Sequence, residues 1–387
     1  MATLGLVFTI GVSLEQWEKQ GLLDREKLIY EKHLKEGHFE KIIWFTYGKN
    51  DLTIYNQLIN EGRLDKRIII VEMPKWFLGK HKSLIYSYLI PFVHWKECKK
   101  LDIIKTNQMG GAWTAAIIHK IYNVPFLLRT GYTYSTNIAG NIKDDSIRSK
   151  KCFLYLKYIR YIMLEKKLYR RCNVATVSSK HDKEYICKKY GIASGKICVI
   201  GNYIDHDLFK NMKEKNRQER FVYVGRLSEE KNLFNIVTAA NKARIGIDIY
   251  GKGELKNSLE KYILKNHIDA RLMGVVDNIY LPKVLNQYRY FVLASKHEGM
   301  PKALLEALAC GLLCVGTDVE GINEVIKDGD NGILAEGIDA KALCKAMIMI
   351  QNEDVQKKIL ENIDNEQKIN SLETIVDKEW QKILEIM

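Results

Sequence analysis

Short apolar runs alternate with amphipathic stretches along the whole chain. In the first half, residues 3–10, 41–45, 67–73, 102–106, 125–130, 174–178 and 197–200 read as buried strands. Apolar positions at helical spacing mark helices over 25–36, 112–122, 146–171 and 182–190. The second half restarts the rhythm. Strands are expected at 221–224, 246–250, 270–273, 290–294, 312–316 and 332–334, with helices at 232–242, 254–266, 279–287 and 301–310. A βα alternation repeated twice predicts an α/β protein of two doubly wound, Rossmann-like parallel-sheet domains. Ligands of such sheets bind at the carboxyl ends of the strands, so the expected site is a cleft between the domains. The division is expected at 1–205 and 206–370, with the charged stretch 210–220 as linker, and a final helix at 371–387 is expected to pack back on the first domain. The most apolar long window, 83–95, is too short to span a bilayer and is interrupted by Pro91. The apolar start reads as a first core strand rather than a signal peptide.

Composition adds two constraints. The 387 residues include 8 cysteines without a C-x-x-C or Cys/His ligand spacing, which fits reduced buried thiols in a cytoplasmic protein. The net charge of +13 is uneven: residues 1–200 carry 34 Lys and Arg against 18 Asp and Glu, while 201–387 carry 26 against 29. That asymmetry points to an anionic partner for the first half, with a membrane surface (such as the inner face of the cytoplasmic membrane), a phosphorylated lipid and nucleic acid as candidates, or else to a merely solubilising surface. The basic and aromatic segment 148–171 is a candidate for lying on such a surface, or for being a half-buried helix with a solvated charged face. Nucleic acid is not expected as a partner, because no recognition motif accompanies the charge.

The residues that suggest chemistry lie mostly in the second half. Glu298 and Glu306 stand eight apart in SKHEGMPKALLEALACG, the first on a loop and the second inside a helix. Pro301 suits the first helical position, and the N–H groups of that helix start form a natural anion site around Gly299, Met300, Pro301, Lys302 and Ala303. A phosphate flanked by two carboxylates able to accept sugar hydroxyls suggests a nucleotide-sugar pocket. In FVYVGRLSEEKN a strand ends at Gly225, followed by Arg226 and then Lys231, two cations suited to a diphosphate or, alternatively, to surface pairing with Glu229 and Glu230. IYGKGEL places Gly251 and Gly253 in a tight turn near the nucleotide but lacks a third glycine for the dinucleotide fingerprint. Val275, after the next strand, offers backbone to a base. In the first half, Gly11 opens a turn after the first strand, and Arg129, Thr130 and Tyr132 close another strand on the acceptor side. Two D-x-D lookalikes, at Asp205/Asp207 and Asp328/Asp330, read as turn chemistry. No metal-ligand spacing, P-loop or G-x-S-x-G pattern is present.

With those residues in place, the chain resembles the family 4 retaining glycosyltransferases of the GT-B fold. The stretch 298–334 resembles the family's signature almost continuously, FVYVGRLSEEKN its diphosphate-binding segment, and KICVIGNYIDHDLF the close of its first domain. Two departures stand out. The His-Gly pair common after the fifth strand is Thr130-Gly131 here, and the glycine-rich N-terminal loop is reduced to Gly11 and its neighbours. The resemblance implies that Arg226 and Lys231 bind the donor diphosphate, Glu298 the donor sugar and Glu306 the ribose. It also implies a metal-independent reaction without cofactor, a UDP-sugar donor and a glycan or lipid-linked glycan acceptor. A nucleotide-sugar epimerase of the same fold and a non-catalytic subunit are the rival expectations.

Overall fold

The computed structural model describes residues 2–77, 82–131, 133, 135, 151–365 and 370–387. The acceptor-side candidate Tyr132, and the expected helical residues 146–150, lie outside the described residues. The chain forms two compact units, Met1–Gly201 with Glu373–Met387, and Asn202–Leu372.

The first unit is built on seven parallel strands: β1 (Ala2–Val7), β2 (Phe39–Phe45), β3 (Ile68–Val71), β4 (Ile103–Thr106), β5 (Phe126–Thr130), β6 (Val174–Val177) and β7 (Ile197–Val199), in the order β3-β2-β1-β4-β5-β6-β7. Its helices are α1 (Leu14–Lys19), α2 (Leu23–Glu26), α3 (Leu28–Lys35), α4 (Asp51–Asn60), α5 (Lys82–Val93), α6 (Trp95–Cys98), α7 (Ala112–Tyr122), α8 (Lys151–Arg171) and α9 (Lys180–Tyr190). The helix expected over 25–36 is thus two helices parted at Lys27.

Helices α1, α4, α5 and α6 lie outside the ranges expected to be helical, and α4 and α5 show what the local pattern misses. In α4, the buried Asp51 carboxylate accepts the N–H groups of Leu14 and Glu15 at 3.0 and 3.1 Å, so it caps the start of α1 from outside that helix. In α5, Pro91 sits inside the helix instead of ending it. A proline at this position deprives the Ser87 carbonyl of its i+4 donor. The Thr114 hydroxyl of α7 donates to that carbonyl instead, and Trp113 Nε1 donates to Ser87 Oγ at 2.8 Å. The break visible in the sequence is therefore repaired by a neighbouring helix.

The second unit carries β8 (Gln218–Val224), β9 (Ile247–Tyr250), β10 (Ala270–Gly274), β11 (Tyr288–Leu293), β12 (Leu313–Thr317) and β13 (Ile333–Ala335), all parallel, in the order β10-β9-β8-β11-β12-β13. Its helices are α10 (Leu233–Lys242), α11 (Lys256–Lys265), α12 (Leu281–Leu285), α13 (Lys302–Ala309), α14 (Ala340–Met349) and α15 (Glu353–Asn365). Each strand order contains a reversal, at β1/β4 and at β8/β11, which is the topological switch point of a doubly wound sheet. The charged stretch 210–220 is not the boundary between units, which falls between Gly201 and Asn202. Arg217 explains why. Its half-buried guanidinium donates to the carbonyls of Cys310 (2.8 Å) and Gly311 (3.2 Å) and to the side chains of Asn211 and Asn286. The segment is thereby held inside the second unit, against the end of α13.

The last helix, α16 (Leu372–Leu384), belongs from Glu373 onward to the first unit. Its Glu379 is buried, pairing with the equally buried Lys105 of β4 and lying 3.2 Å from His33 Nε2 of α3.

Candidate functional site

The carboxyl ends of β8, β9 and β10 meet in three glycine-bearing turns. The Gly225 N–H bonds Tyr250 O at 3.0 Å, and the Gly251 N–H bonds Gly274 O at 2.6 Å. Gly251 has φ +151°, and a Cβ there would overlap Gly225 O; a Cβ on Gly253 would overlap Leu227 O. These glycines let adjacent strand ends close on one another, which brings the Arg226 turn beside the 251–253 turn. Val275, just past β10, is exposed.

Past Gly225 the chain makes a 3₁₀ turn over Glu229–Lys231, ended by Asn232 in the left-handed region. The Lys231 ammonium pairs with Glu298, not with Glu229 or Glu230. The Ser295 hydroxyl donates to the same Glu298 oxygen at 2.7 Å. Between these loops the Lys296 N–H bonds Glu230 O at 2.8 Å, and Thr317 Oγ1 donates to Ser295 O at 2.9 Å. Lys231, Glu298 and Ser295 therefore form one locked, largely buried constellation. Arg226 behaves differently. Its side chain is 72% exposed and its nearest carboxylate, Glu230, is 4.0 Å away, so it is available to an anion. Burial, with the charges of Glu298 and Glu230 adding to it, pushes the Tyr223 phenol well above its ordinary range. Tyr223 stays neutral and donates to Arg226 O at 2.9 Å, which fixes the turn that carries Arg226.

Helix α13 begins at Lys302. Pro301 is its N-cap, with φ −75° and ψ 110°, and not its first helical residue. An extended ψ at Pro301 turns the chain into the helix one residue later than the sequence suggests. No side chain caps the first N–H groups of α13, so their positive end of the helix dipole remains available for a phosphate. The loop before it is held from elsewhere: Asn202 Nδ2 donates to Met300 O at 2.6 Å, and the Lys302 ammonium lies 4.8 Å over the Tyr203 ring. Gly321, at φ +80°, passes so close to Gly299 that a Cβ would overlap Gly299 O and lie 2.7 Å from Glu298 O. Glu306, one turn into α13, is 4% exposed. Ser295, Asn202, Tyr203 and Gly321 are site residues that the sequence alone does not mark. All four lie in or beside the quoted motif segments, but their roles depend on contacts across the fold.

The remaining candidates belong to the first unit. Gly11 takes φ +77° in the turn between β1 and α1, with open space where a Cβ would lie. At the end of β5, Arg129 is half-buried and its Nη1 lies 3.4 Å from Asn107 O. Thr130 is buried, its hydroxyl 3.1 Å from Tyr169 OH. The Gly131 N–H bonds Gln108 Oε1 at 2.8 Å and its carbonyl accepts from Ser178 at 2.7 Å. Both D-x-D lookalikes cap turns: Asp205 Oδ1 accepts the N–H groups of Asp207 and Leu208, and Asp328 Oδ1 that of Leu334. Among the described residues no cluster of three or more His, Cys, Asp or Glu is placed to hold a metal ion.

Two parallel-sheet α/β units with a cation-and-carboxylate site at the strand ends define the GT-B class of glycosyltransferases. Family matches agree with that class: "Glycosyltransferase Family 4" over residues 35–208 and "Glycosyl transferases group 1" over residues 205–367. The chain belongs to the family 4 glycosyltransferases, and it is a glycosyltransferase of the GT-B fold. Among its relatives is the UDP-Gal:alpha-D-GlcNAc-diphosphoundecaprenol alpha-1,3-galactosyltransferase of Escherichia coli, 27% identical over 304 residues, covering 73% of this chain and 74% of the relative. An N-acetylgalactosamine-N,N'-diacetylbacillosaminyl-diphospho-undecaprenol 4-alpha-N-acetylgalactosaminyltransferase of Campylobacter jejuni is 26% identical, covering 50% of this chain and 55% of that one. In fold, the chain is similar to HepE of Anabaena, solved with UDP and glucose, at a TM-score of 0.73 and 14% identity over the full length of both.

Proposed function

We propose that this chain moves a hexosyl group from a UDP-sugar to a hydroxyl of a lipid-linked glycan, with retention at the anomeric carbon and without a metal ion, in the synthesis of a cell-surface polysaccharide or glycoconjugate. The observation that carries the reading is the constellation of Lys231, Glu298 and Ser295 beside the uncapped start of α13, with Arg226 open next to it. In this scheme Arg226 and Lys231 hold the donor diphosphate, together with the N–H groups of Gly299–Ala303. Glu298 accepts hydroxyls of the donor sugar, and Glu306 those of the ribose. Fixed cations and a helix terminus then neutralise the leaving diphosphate, a task a divalent metal performs in other designs. The bond from the anomeric carbon to the phosphate oxygen breaks, and the acceptor oxygen bonds to that carbon on the same face. The acceptor proton passes to the departing phosphate oxygen, so no protein base is required. A UDP donor and a lipid-diphosphate acceptor are supported by the names of the relatives. On the acceptor side, Arg129 at the end of β5 is the charged group of choice, and the membrane's inner face is the place of reaction.

Slow hydrolysis of UDP-sugars tests the donor site without an acceptor. Lys231→Ala is expected to reduce it at least about a hundredfold, as loss of a transition-state charge partner does. The released sugar should carry the donor's anomeric configuration by NMR, and EDTA should leave the rate unchanged. Equal turnover in Lys231→Ala would overturn the donor site. Release of an epimerised nucleotide sugar would instead mark an epimerase.

A further inference from the structure

Past Lys82, helix α5 carries no charged residue on any side, yet only half of it is covered. Tyr86, Ser87, Ile90 and Pro91 face inward and are buried. Leu84, Ile85, Tyr88, Leu89, Phe92 and, at the start of α6, Trp95 face outward, between 36% and 57% exposed. A helix with no polar face belongs in a core or against a lipid phase, and a contiguous exposed patch of this kind marks an interaction surface. No charged residue occurs from Ser83 through Trp95, whereas Lys75 and Lys82 precede the run and Lys96, Lys99 and Lys100 follow it, all exposed, with one half-buried acid, Glu97, among them. The Lys96 and Lys99 ammonium groups lie 5.8 and 4.9 Å from the Trp95 ring centroid. An apolar face ending in tryptophan and rimmed by lysines matches the layering of an anionic membrane surface: acyl chains, then an aromatic level, then phosphate.

We propose that the outer face of α5, with Trp95 and its lysine rim, docks this protein into the interfacial layer of an anionic bilayer. The segment first suspected from its charge, α8, plays the secondary part. Helix α5 packs on α7, and α7 on α8, where exposed Leu156, Ile159 and Met163 stand beside Lys157 and Arg160. Of the exposed faces of α5 and α8, only that of α5 lacks charge, from Ser83 onward. No helix among the described residues is long and apolar enough to cross a membrane, so the docking is to one leaflet. A second copy of the chain is a poorer occupant, because face-to-face pairing would set two lysine rims against each other. Two hydrogen bonds at Ser87 tie α5 to α7 behind this face. The proposal rests on the membrane-associated reading above but concerns binding alone.

Co-sedimentation of the full chain with vesicles tests it, in the absence of donor and acceptor. Vesicles of phosphatidylcholine and phosphatidylglycerol in equal parts are compared with phosphatidylcholine alone. The protein is expected to bind the mixed vesicles. The double variant Leu89→Ser/Phe92→Ser should bind them about tenfold or more weakly, and Lys96→Glu/Lys99→Glu should lose the preference for phosphatidylglycerol. Donor hydrolysis should stay unchanged in both, which keeps a folding defect or a wrong donor site distinguishable from failed docking. No binding by the unaltered protein, or equal binding by the Leu89→Ser/Phe92→Ser variant, would overturn the proposal. So would a dimer in solution that these serines convert to monomer, since the face would then belong to a second copy.

Discussion

At the scale of single residues, the site depends on who holds each charge. Lys231 and Glu298 neutralise each other, and Ser295 locks the shared oxygen. Arg226 remains the exposed cation. The glycines act less by cradling a ligand than by allowing loops to touch. Gly321→Ala places a Cβ against the backbone of Glu298 and Gly299 at a left-handed φ, and should cost about 1–3 kcal/mol of stability. Because it shifts the Glu298 loop, it should also lower kcat/KM for donor hydrolysis by about tenfold or more. Thermal unfolding together with steady-state kinetics would check both, and unchanged kinetics would separate Gly321 from the site. The pattern EGMPK…LLEALACG made both glutamates conspicuous as sequence. Ser295 and Gly321 were not conspicuous, because an isolated serine or glycine acquires a role only from the atom across the loop.

At the scale of elements, the strands of both sheets were legible from their apolar runs, and boundaries moved by three residues at most. The helices were harder. Helix α5 was concealed by Pro91, since a local rule treats proline as an ending and the repairing donor, Thr114, lies on another helix. Pro301 moved from the helix into its cap through its extended ψ. The stretch 210–220, which is polar enough to resemble a linker, is anchored by one arginine at the far end of α13 from the proposed phosphate site. Replacing Arg217 with leucine removes the donor to the carbonyls of Cys310 and Gly311. The expected cost is about 2–3 kcal/mol, for carbonyls left without partners in a half-buried place. Hydrogen exchange should then rise along α13 and the donor KM should increase. Protection along α13 equal to that of the unaltered protein would dissociate Arg217 from that helix.

At the scale of the whole chain, the last helix is committed to the first unit by a buried carboxylate. Burial alone would raise the Glu379 pKa, but the Lys105 ammonium and the His33 ring more than offset it, and the carboxyl lies well below the usual range. A carboxylate whose pKa is depressed on folding contributes stability above its unfolded pKa of about 4.3, and that contribution is lost as pH falls through the folded value. Urea unfolding of the full chain should therefore show a falling midpoint from about pH 5 to pH 3. The double variant Glu379→Gln/Lys105→Met, which removes both charges together, should show a smaller fall over the same range, and an equal fall would place the acid sensitivity elsewhere. Taken alone, the sequence determined the α/β class, the two-sheet rhythm, the family and the charges Arg226, Lys231, Glu298 and Glu306. The class and the rhythm follow from periodicity, whereas the family follows from the resemblance of the motif segments that carry those charges. Only the tertiary structure decided that Lys231 is paired with Glu298 while Arg226 is open, that Arg217 anchors α13, and that an apolar helix without charge leaves half its surface uncovered. Pairing and exposure are properties of groups distant in the chain, and no local pattern records which of them will meet.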